Sequence, residues 1–142
     1  MAALVDTNVL VYRFDPRFPA RQRIARDLLR QGLVEDSLRI PHQALVEFVA
    51  VVVRPISGGP SLLTLAEAIQ EVEDLCRQFT IVVYPNEGVL KTALRGAAAY
   101  QLSWFDAHLW AYAEHFGLDP LLSEDFQHDR AYGSVRAVNP FL

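Results

Sequence analysis

The chain opens on a short apolar strand that ends in a carboxylate. Residues 3–12 read Ala-Leu-Val-Asp-Thr-Asn-Val-Leu-Val-Tyr, so that Asp6 stands among aliphatic side chains. An unpaired carboxylate buried in apolar surroundings must shift its pKa or find a cation. This stretch predicts a strand over residues 2–5 and a helix over residues 9–12. It also predicts a functional role for Asp6, with Thr7 and Asn8 as groups that could orient its carboxylate or satisfy the turn.

Helical and extended segments alternate along the rest of the chain. Apolar side chains three or four positions apart mark the expected helices, and short β-branched runs next to proline or glycine mark the expected strands. We predict helices over residues 19–32, 41–53, 61–75 and 86–100, the last with Asn86 as N-cap, and a helix capped by Ser103 that ends at Gly117. We predict strands over residues 37–40, 81–84, 120–122 and 135–138. This alternation predicts an α/β fold whose parallel sheet is covered by helices on both faces.

Length and charge limit the classes of protein to consider. At 142 residues, 51% of them hydrophobic, the chain fits one domain over residues 1–142 with one core. The net charge of −4 argues against a protein that coats nucleic acid, because that binding rests on many cationic groups. It is compatible with a nuclease whose acids lie in a cleft rimmed by arginines, since arginine is the better bidentate phosphate ligand. The arginines nearest to Asp6 are Arg13, Arg17, Arg21 and Arg23.

The sequence also bears on membranes and redox chemistry. No apolar run reaches the roughly 20 residues of a membrane helix, and no basic segment leads into an apolar stretch at the N-terminus. We therefore expect a soluble, cytoplasmic protein without a membrane partner. Cys76 is the only cysteine, so no internal disulfide can form, and we expect it to be a small core residue.

Three further acids lie in apolar segments: Glu47 in a helix interior, Asp106 near a helix start and Asp125 after a strand. Ligands of parallel sheets bind beyond the carboxyl ends of the strands, which predicts that Asp6 and Asp125 share one edge. Glu47 follows the second strand closely enough to reach the same edge. Asp106 follows a helix, so its place is inferred less directly. Each acid has a structural alternative: Asp106 could complete a capped first turn, and Asp125 could be a turn residue.

Four converging carboxylates would form a site for a divalent cation. Two like charges about 4 Å apart repel by roughly 4 kcal/mol at an effective dielectric near 20, so the cluster needs protonation or a counter-cation. Oxygen ligands favour Mg²⁺, with Mn²⁺ as a plausible substitute. A water bound to such an ion loses a proton more readily than bulk water. The expected chemistry is hydrolysis of a phosphodiester bond by metal-activated water.

Taken in order, these segments resemble the PIN-domain ribonucleases, in particular the VapC-like toxins of bacterial toxin-antitoxin modules. The resemblance rests on residues 5–12, on Glu47 in its helix, and on Trp-Phe-Asp-Ala-His-Leu-Trp at 104–110. It continues through Leu-Leu-Ser-Glu-Asp-Phe-Gln-His at 121–128 and Val-Arg-Ala-Val-Asn-Pro-Phe at 135–141. The implied fold is a three-layer α/β/α sandwich around a short central parallel sheet. The implied activity is that of a Mg²⁺-dependent endoribonuclease acting on RNA.

The resemblance also assigns roles to residues and names partners. It implies that Asp6 and Asp106 are the principal metal ligands and that Glu47 and Asp125 complete the catalytic, metal-binding set. Family members generally form homodimers and are silenced by a small cognate antitoxin, so both partners are expected. Glu124 is a rival ligand beside Asp125, and Asp129 is a weaker extra acid at the edge of the cleft.

Two other classes of function stay open at this point. One is a metal-dependent phosphohydrolase or phosphotransfer domain in which Asp6 is the nucleophile. It would normally want a second aspartate where this chain has Asn8, or a well-placed lysine, and Lys91 is the only lysine. The other is a non-catalytic PIN-like binding module that keeps its acids for stability.

Overall fold

The computed structural model describes residues 2–83 and 87–142 and contains a sheet covered by helices on both faces. The strands are β1 (Ala3–Val5), β2 (Leu38–Pro41), β3 (Thr80–Val82), β4 (Leu121–Leu122), β5 (Ala131–Tyr132) and β6 (Val135–Val138). The helices are α1 (Thr7–Tyr12), α2 (Pro19–Glu35), α3 (His42–Val52), α4 (Leu65–Gln78), α5 (Glu87–Tyr100) and α6 (Trp104–Phe116). The strand order is β3-β2-β1-β4-β6-β5, and the pairs are parallel except for the antiparallel pair of β5 and β6.

Strand β1 shows how the sheet separates two layers of helices. Ala3 and Val5 lie in one hydrophobic cluster with helices α1 to α4, whereas Leu4 lies in a second cluster with α5 and α6. Successive side chains of a strand point to opposite faces, and all three here are buried. A strand buried on both faces reads as a continuous apolar run, as the sequence does. The predicted three-layer α/β/α fold is confirmed.

The edge of the sheet differs from the sequence prediction. Strand β5 was not predicted, and it runs antiparallel to β6 through a tight turn in which Gly133 adopts a φ of 63°. A strand of two residues is too short to show any hydrophobic periodicity. The predicted parallel sheet therefore carries one additional antiparallel strand at this edge.

Several helix boundaries also differ. Helix α1 begins at Thr7 rather than at residue 9, with Asp6 as its N-cap, and helix α4 ends at Gln78 rather than at residue 75. Helix α4 begins at Leu65 rather than at Ser61, because Thr64 and Glu67 form a capping box with bonds of 3.1 and 2.9 Å. Helix α2 continues past Gly32 to Glu35, and Asp36 ends it in the left-handed region with a φ of 51°. The predicted strand end at residue 84 and the predicted cap at residue 86 lie outside the described residues.

Cys76 is exposed on α4, so its predicted place in the core is wrong. The preceding Leu75 takes the inward position and is fully buried. Within residues 2–83 and 87–142, the helices are too short or too polar to cross a lipid bilayer.

Candidate active site

The four acids singled out by the sequence line one cleft of about 360 Å³. Asp6 directly follows β1, and Asp125 follows β4, the neighbouring parallel strand, so both leave the sheet at the same edge. Glu47 comes from the second turn of α3, and Asp106 from the first turn of α6. The backbone amide of Asp106 donates to Ser103 Oγ at 3.3 Å, as its alternative role in a capped turn requires. The structure thus places all four carboxylates around one space.

Asp6 is the most buried of the four, with 5% of its surface exposed. It is the N-cap of α1, and its Oδ1 accepts a hydrogen bond from the Thr7 amide at 2.6 Å. Its Oδ2 accepts from Ser123 Oγ at 2.5 Å and from Asn8 Nδ2 at 3.2 Å. Three donors from the turn and from the adjacent strand end therefore fix the carboxylate.

The cleft raises the pKa of two of its acids. Burial raises the pKa of Asp6 from 3.8 to about 7, and although neighbouring hydrogen bonds lower it, the charges of Asp125 and Glu47 raise it further. Burial also raises the pKa of Asp106, and the same two carboxylates add to the effect. Like charges close together disfavour ionisation unless a cation balances them. A cation in this cleft would favour the charged form of both acids.

Glu47 is held by groups from two helices. Thr7 Oγ1 donates to one carboxylate oxygen at 2.7 Å, and Gln43 Nε2 donates to the other at 2.9 Å. The same Gln43 amide nitrogen donates to the Phe105 carbonyl at 3.1 Å, and its oxygen accepts from His108 Nδ1. Gln43 therefore ties α3 to the start of α6. Sequence reasoning missed it, although its spacing of four from Glu47 on one helix places the two side chains on the same face.

Ser123 is a second residue that sequence reasoning missed. Its hydroxyl donates to Asp6 and accepts from the Asp125 backbone amide at 3.0 Å, and the residue is fully buried. Asn8 Nδ2 reaches the Ser123 hydroxyl at 3.4 Å and Asp125 Oδ2 at 3.3 Å. The sequence signal for Ser123 is its position just after β4, beside the end of β1. Of the two groups expected to orient Asp6, Asn8 does so by its side chain, whereas Thr7 uses only its backbone amide.

The two extra acids considered from the sequence have other partners. Glu124 lines the cleft, but it accepts from the Tyr12 hydroxyl at 2.9 Å and pairs with Arg21 at 3.1 Å. Among the described residues, Asp129 does not line the cleft, and its carboxylate lies 3.3 Å from Arg136. The structure therefore gives Asp129 no place at the edge of the cleft.

The donor set fits a hard divalent cation that keeps several waters. The cleft offers carboxylate oxygens, and Asn8 Oδ1 is a buried amide oxygen without a hydrogen-bond partner in the described part of the chain. Within that same part, no three His, Cys, Asp or Glu side chains are arranged to hold a metal ion together. Mg²⁺ suits such a site, because it binds through one or two carboxylates and retains waters rather than requiring a protein cage.

Comparisons with known proteins agree with this fold. A family model described as PIN domain matches residues 3–134. Similar solved structures include a toxin-antitoxin complex from Klebsiella pneumoniae, with 20% identity, a TM-score of 0.68 and 98% of both chains covered. DNA-bound VapBC from Salmonella typhimurium shows 12% identity, a TM-score of 0.68 and 96% coverage of both chains. FitAB bound to an IR36 DNA fragment shows 17% identity and a TM-score of 0.71, over 99% of this chain and 96% of the other. A search of curated protein sequences returned no match.

Proposed function

We propose, because this chain belongs to the PIN-domain family, that it is a Mg²⁺-dependent endoribonuclease and the toxin of a toxin-antitoxin module. The observation that carries the proposal is the convergence of four carboxylates on one cleft, with the pKa of Asp6 raised to about 7. The family is of the nuclease type, and two of the similar structures are described as toxin-antitoxin or VapBC complexes. We further propose that residues 1–142 form a single nuclease domain that acts in the cytoplasm.

The proposed ligands are Asp6 and Asp106 as principal residues, with Glu47 and Asp125 completing the set. When bound, Mg²⁺ would neutralise the cleft and ease the deprotonation of a water for hydrolysis of an RNA phosphodiester, and Mn²⁺ could replace it. The chain itself supplies position, since three donors hold Asp6 and two donors hold Glu47. Carboxylates fixed in this way need little reorganisation when the site is loaded.

Gln43→Leu is expected to lower cleavage activity by about 10 to 100-fold and to raise the Mg²⁺ concentration needed for half-maximal activity. The substitution removes the donor to Glu47 and the tie to α6. Initial rates on an RNA substrate across a Mg²⁺ titration check this result. Gln70→Leu is the matched control, because Gln70 is exposed on α4 and donates to Asp74 four positions away at 3.0 Å. If Gln43→Leu and Gln70→Leu cleaved at the same rate and needed the same Mg²⁺ concentration, the positioning role of Gln43 would be refuted.

The phosphotransfer alternative finds little support in the cleft. Among the described residues, Lys91 does not line the cleft, and its amine lies 3.8 Å from Glu87, with both side chains exposed on α5. Asn8 occupies the position where a second aspartate would be wanted, and its amide donates to Asp6. The proposed nuclease does not need a lysine or a second aspartate at these places.

The binding-module alternative conflicts with the electrostatics. Acids kept for stability are expected to have lowered pKa values, because favourable partners stabilise the charged form. Burial instead raises the pKa of both Asp6 and Asp106. These two acids therefore work against the stability of the isolated fold at neutral pH, which favours a functional role for them.

Protein partners are part of the proposal. A second groove of about 440 Å³ adjoins the cleft and shares Gln43, Glu47 and Phe105 with it. Val46, Trp104 and Phe105 leave apolar surface exposed there. Contiguous exposed apolar surface often marks a protein interaction site. We propose a cognate antitoxin as one partner and a second copy of the chain as another.

The purified protein, freed of antitoxin, is expected to be a homodimer. Multi-angle light scattering across micromolar concentrations should give about twice the 16.0 kDa mass of the chain. Association would bury the exposed apolar side chains that a monomer leaves in water. A monomer mass over the whole range would contradict the homodimer.

A further inference from the structure

Phe18 stands at the mouth of the acidic cleft with two arginines against its ring. Its side chain is 41% exposed, and it lines the cleft together with Arg17. The guanidinium carbons of Arg17 and Arg21 lie 5.5 and 5.6 Å from the centre of the Phe18 ring. Arg17, Phe18 and Arg21 are termed the rim below. Phe18 and Arg17 line the space that the four carboxylates surround, and Arg21 adjoins it through Glu124, which also lines the cleft.

Core packing does not account for the exposed ring. Phe18 belongs to neither hydrophobic cluster in the described part of the chain. Its position is nonetheless fixed, because Pro19 begins α2 immediately after it and restricts the backbone. The ring also meets Tyr12 edge-on, with centroids 5.6 Å apart, and Tyr12 in turn packs against Phe141 at 4.9 Å. The fold therefore holds a large apolar ring in contact with water.

Both arginines are positioned by carboxylates and still reach solvent. Arg17 makes two bonds to the buried Asp15, from Nε at 2.9 Å and from Nη2 at 2.7 Å. Arg21 Nη1 bonds to the Tyr12 hydroxyl at 2.5 Å and to Glu124 at 3.1 Å. The side chains of Arg17 and Arg21 stay 52% and 43% exposed. Each guanidinium is thus ordered on one side and accessible on another.

We infer that the rim is a subsite for single-stranded RNA next to the bond to be cut. A nucleobase stacks on the part of the Phe18 ring that Arg17, Arg21 and Tyr12 leave exposed. Arg17 and Arg21 contact the phosphates on either side of this base. This inference rests on the proposed nuclease function and names its substrate class. Stacking on an aromatic ring needs a base that is free of its neighbours, which a single strand offers and a duplex does not. Planar guanidinium groups suit phosphate oxygens.

Binding is tested in the Asp6→Asn background, so that cleavage does not consume the probe. The probe is a single-stranded ribo-oligonucleotide that carries 2-aminopurine, whose fluorescence falls when the base stacks. We expect quenching on binding, and we expect Phe18→Ala to weaken binding by about 10 to 100-fold and to remove the quenching. Phe18→Leu keeps an apolar contact with Tyr12 but should behave like Phe18→Ala, whereas Phe18→Trp should restore both signals. The same sequence annealed into a duplex should bind at least about 10-fold more weakly.

The salt dependence of binding tests the proposed phosphate contacts of the arginines. Arg17→Ala is expected to flatten the slope of log Kd against log salt concentration by about 0.7, the value for one phosphate contact on a single strand. Arg30→Ala should leave the slope unchanged, because Arg30 is exposed on α2, is not among the described residues that line the cleft, and faces Asp27 at 3.6 Å. Phe116→Ala is the aromatic control, since Phe116 is 39% exposed and is not among the described residues that line the cleft.

The outcomes separate this inference from the proposed function. Quenching that persists in Phe18→Ala and Phe18→Leu, or equal affinity for the duplex, would overturn the rim as a stacking subsite. If the wild type cleaves RNA with a KM that Phe18→Leu does not change, the nuclease stands and the rim does not. If Phe18-dependent quenching occurs while the wild type cleaves no RNA, the rim stands and the nuclease does not.

Discussion

Asp6→Asn is expected to lower the rate of RNA cleavage by about 1000-fold or more, while the protein stays folded. Asparagine keeps the size of the side chain, and its one oxygen can accept from the Thr7 amide as Asp6 Oδ1 does. Its Nδ2 can donate to the Ser123 hydroxyl, which now donates to Asp6 Oδ2. It removes the negative charge proposed to bind the metal. Rates on a cleaved oligonucleotide, measured at saturating Mg²⁺, check the prediction. Asp27→Asn is the control, because Asp27 is exposed on α2 and only faces Arg30 at 3.6 Å.

The same variant should be more stable than the wild type at pH 8 without metal. Burial raises the pKa of Asp6 from 3.8 to about 7 in the folded chain. Between these values the folded state holds a proton that the unfolded state has released, so stability falls as the pH rises. A shift of about 3 pH units corresponds to roughly 4 kcal/mol at most. Denaturant unfolding of Asp6→Asn should lose this pH dependence. Loss of cleavage together with a destabilised fold would instead make Asp6 a structural residue.

Mg²⁺ is expected to raise the unfolding temperature of the wild type more at pH 8 than at pH 5.5. Below the raised pKa of Asp6, a proton competes with the ion for the carboxylate. Above that pKa the carboxylates are ionised and repel one another, and a bound ion neutralises this repulsion. At an ion concentration about 100 times the Kd, binding stabilises the fold by about 2.7 kcal/mol. For a domain of this size that corresponds to a rise on the order of 8 °C.

Thermal unfolding with Mg²⁺, Mn²⁺ or EDTA, at matched ionic strength, measures this effect. Asp6→Asn should show little of the shift, and Asp27→Asn should show all of it. An equal rise at both pH values, or an equal rise in Asp6→Asn, would indicate general screening of the acidic chain rather than a site in the cleft.

The fold could be predicted from the sequence because its segments alternate clearly and its first strand is unambiguous. A run of three buried residues that stops at a carboxylate identifies a strand buried on both faces and the edge where its ligand would bind. The polar groups that hold the carboxylates of Asp6 and Glu47 were harder to find. Ser123 reaches Asp6 from 117 positions away, and Gln43 contacts His108 from 65 positions away. Such pairs exist only once strands and helices are assembled, so local patterns do not reveal them.

Other differences came from competing local signals. Leu62 continues the helical spacing of Leu65 and the later apolar residues, which extended the predicted start of α4 to residue 61. Thr64 and Glu67 carried the capping-box signal for the true start. Strand β5 has two residues and offers no pattern of its own. Phe18 reads as an ordinary apolar residue, and only its exposure at the cleft distinguishes it.

Mapping the new 5′ ends in a total RNA pool tests the central claim most directly. The pool is incubated with wild-type protein, freed of antitoxin, in Mg²⁺, in Mn²⁺ and in EDTA, and with Asp6→Asn in Mg²⁺. The nuclease assignment predicts discrete ends in the two metal-containing wild-type samples and none in the other two. The same ends in EDTA or with Asp6→Asn, or no ends in any sample while Mg²⁺ still stabilises the wild type, would contradict it.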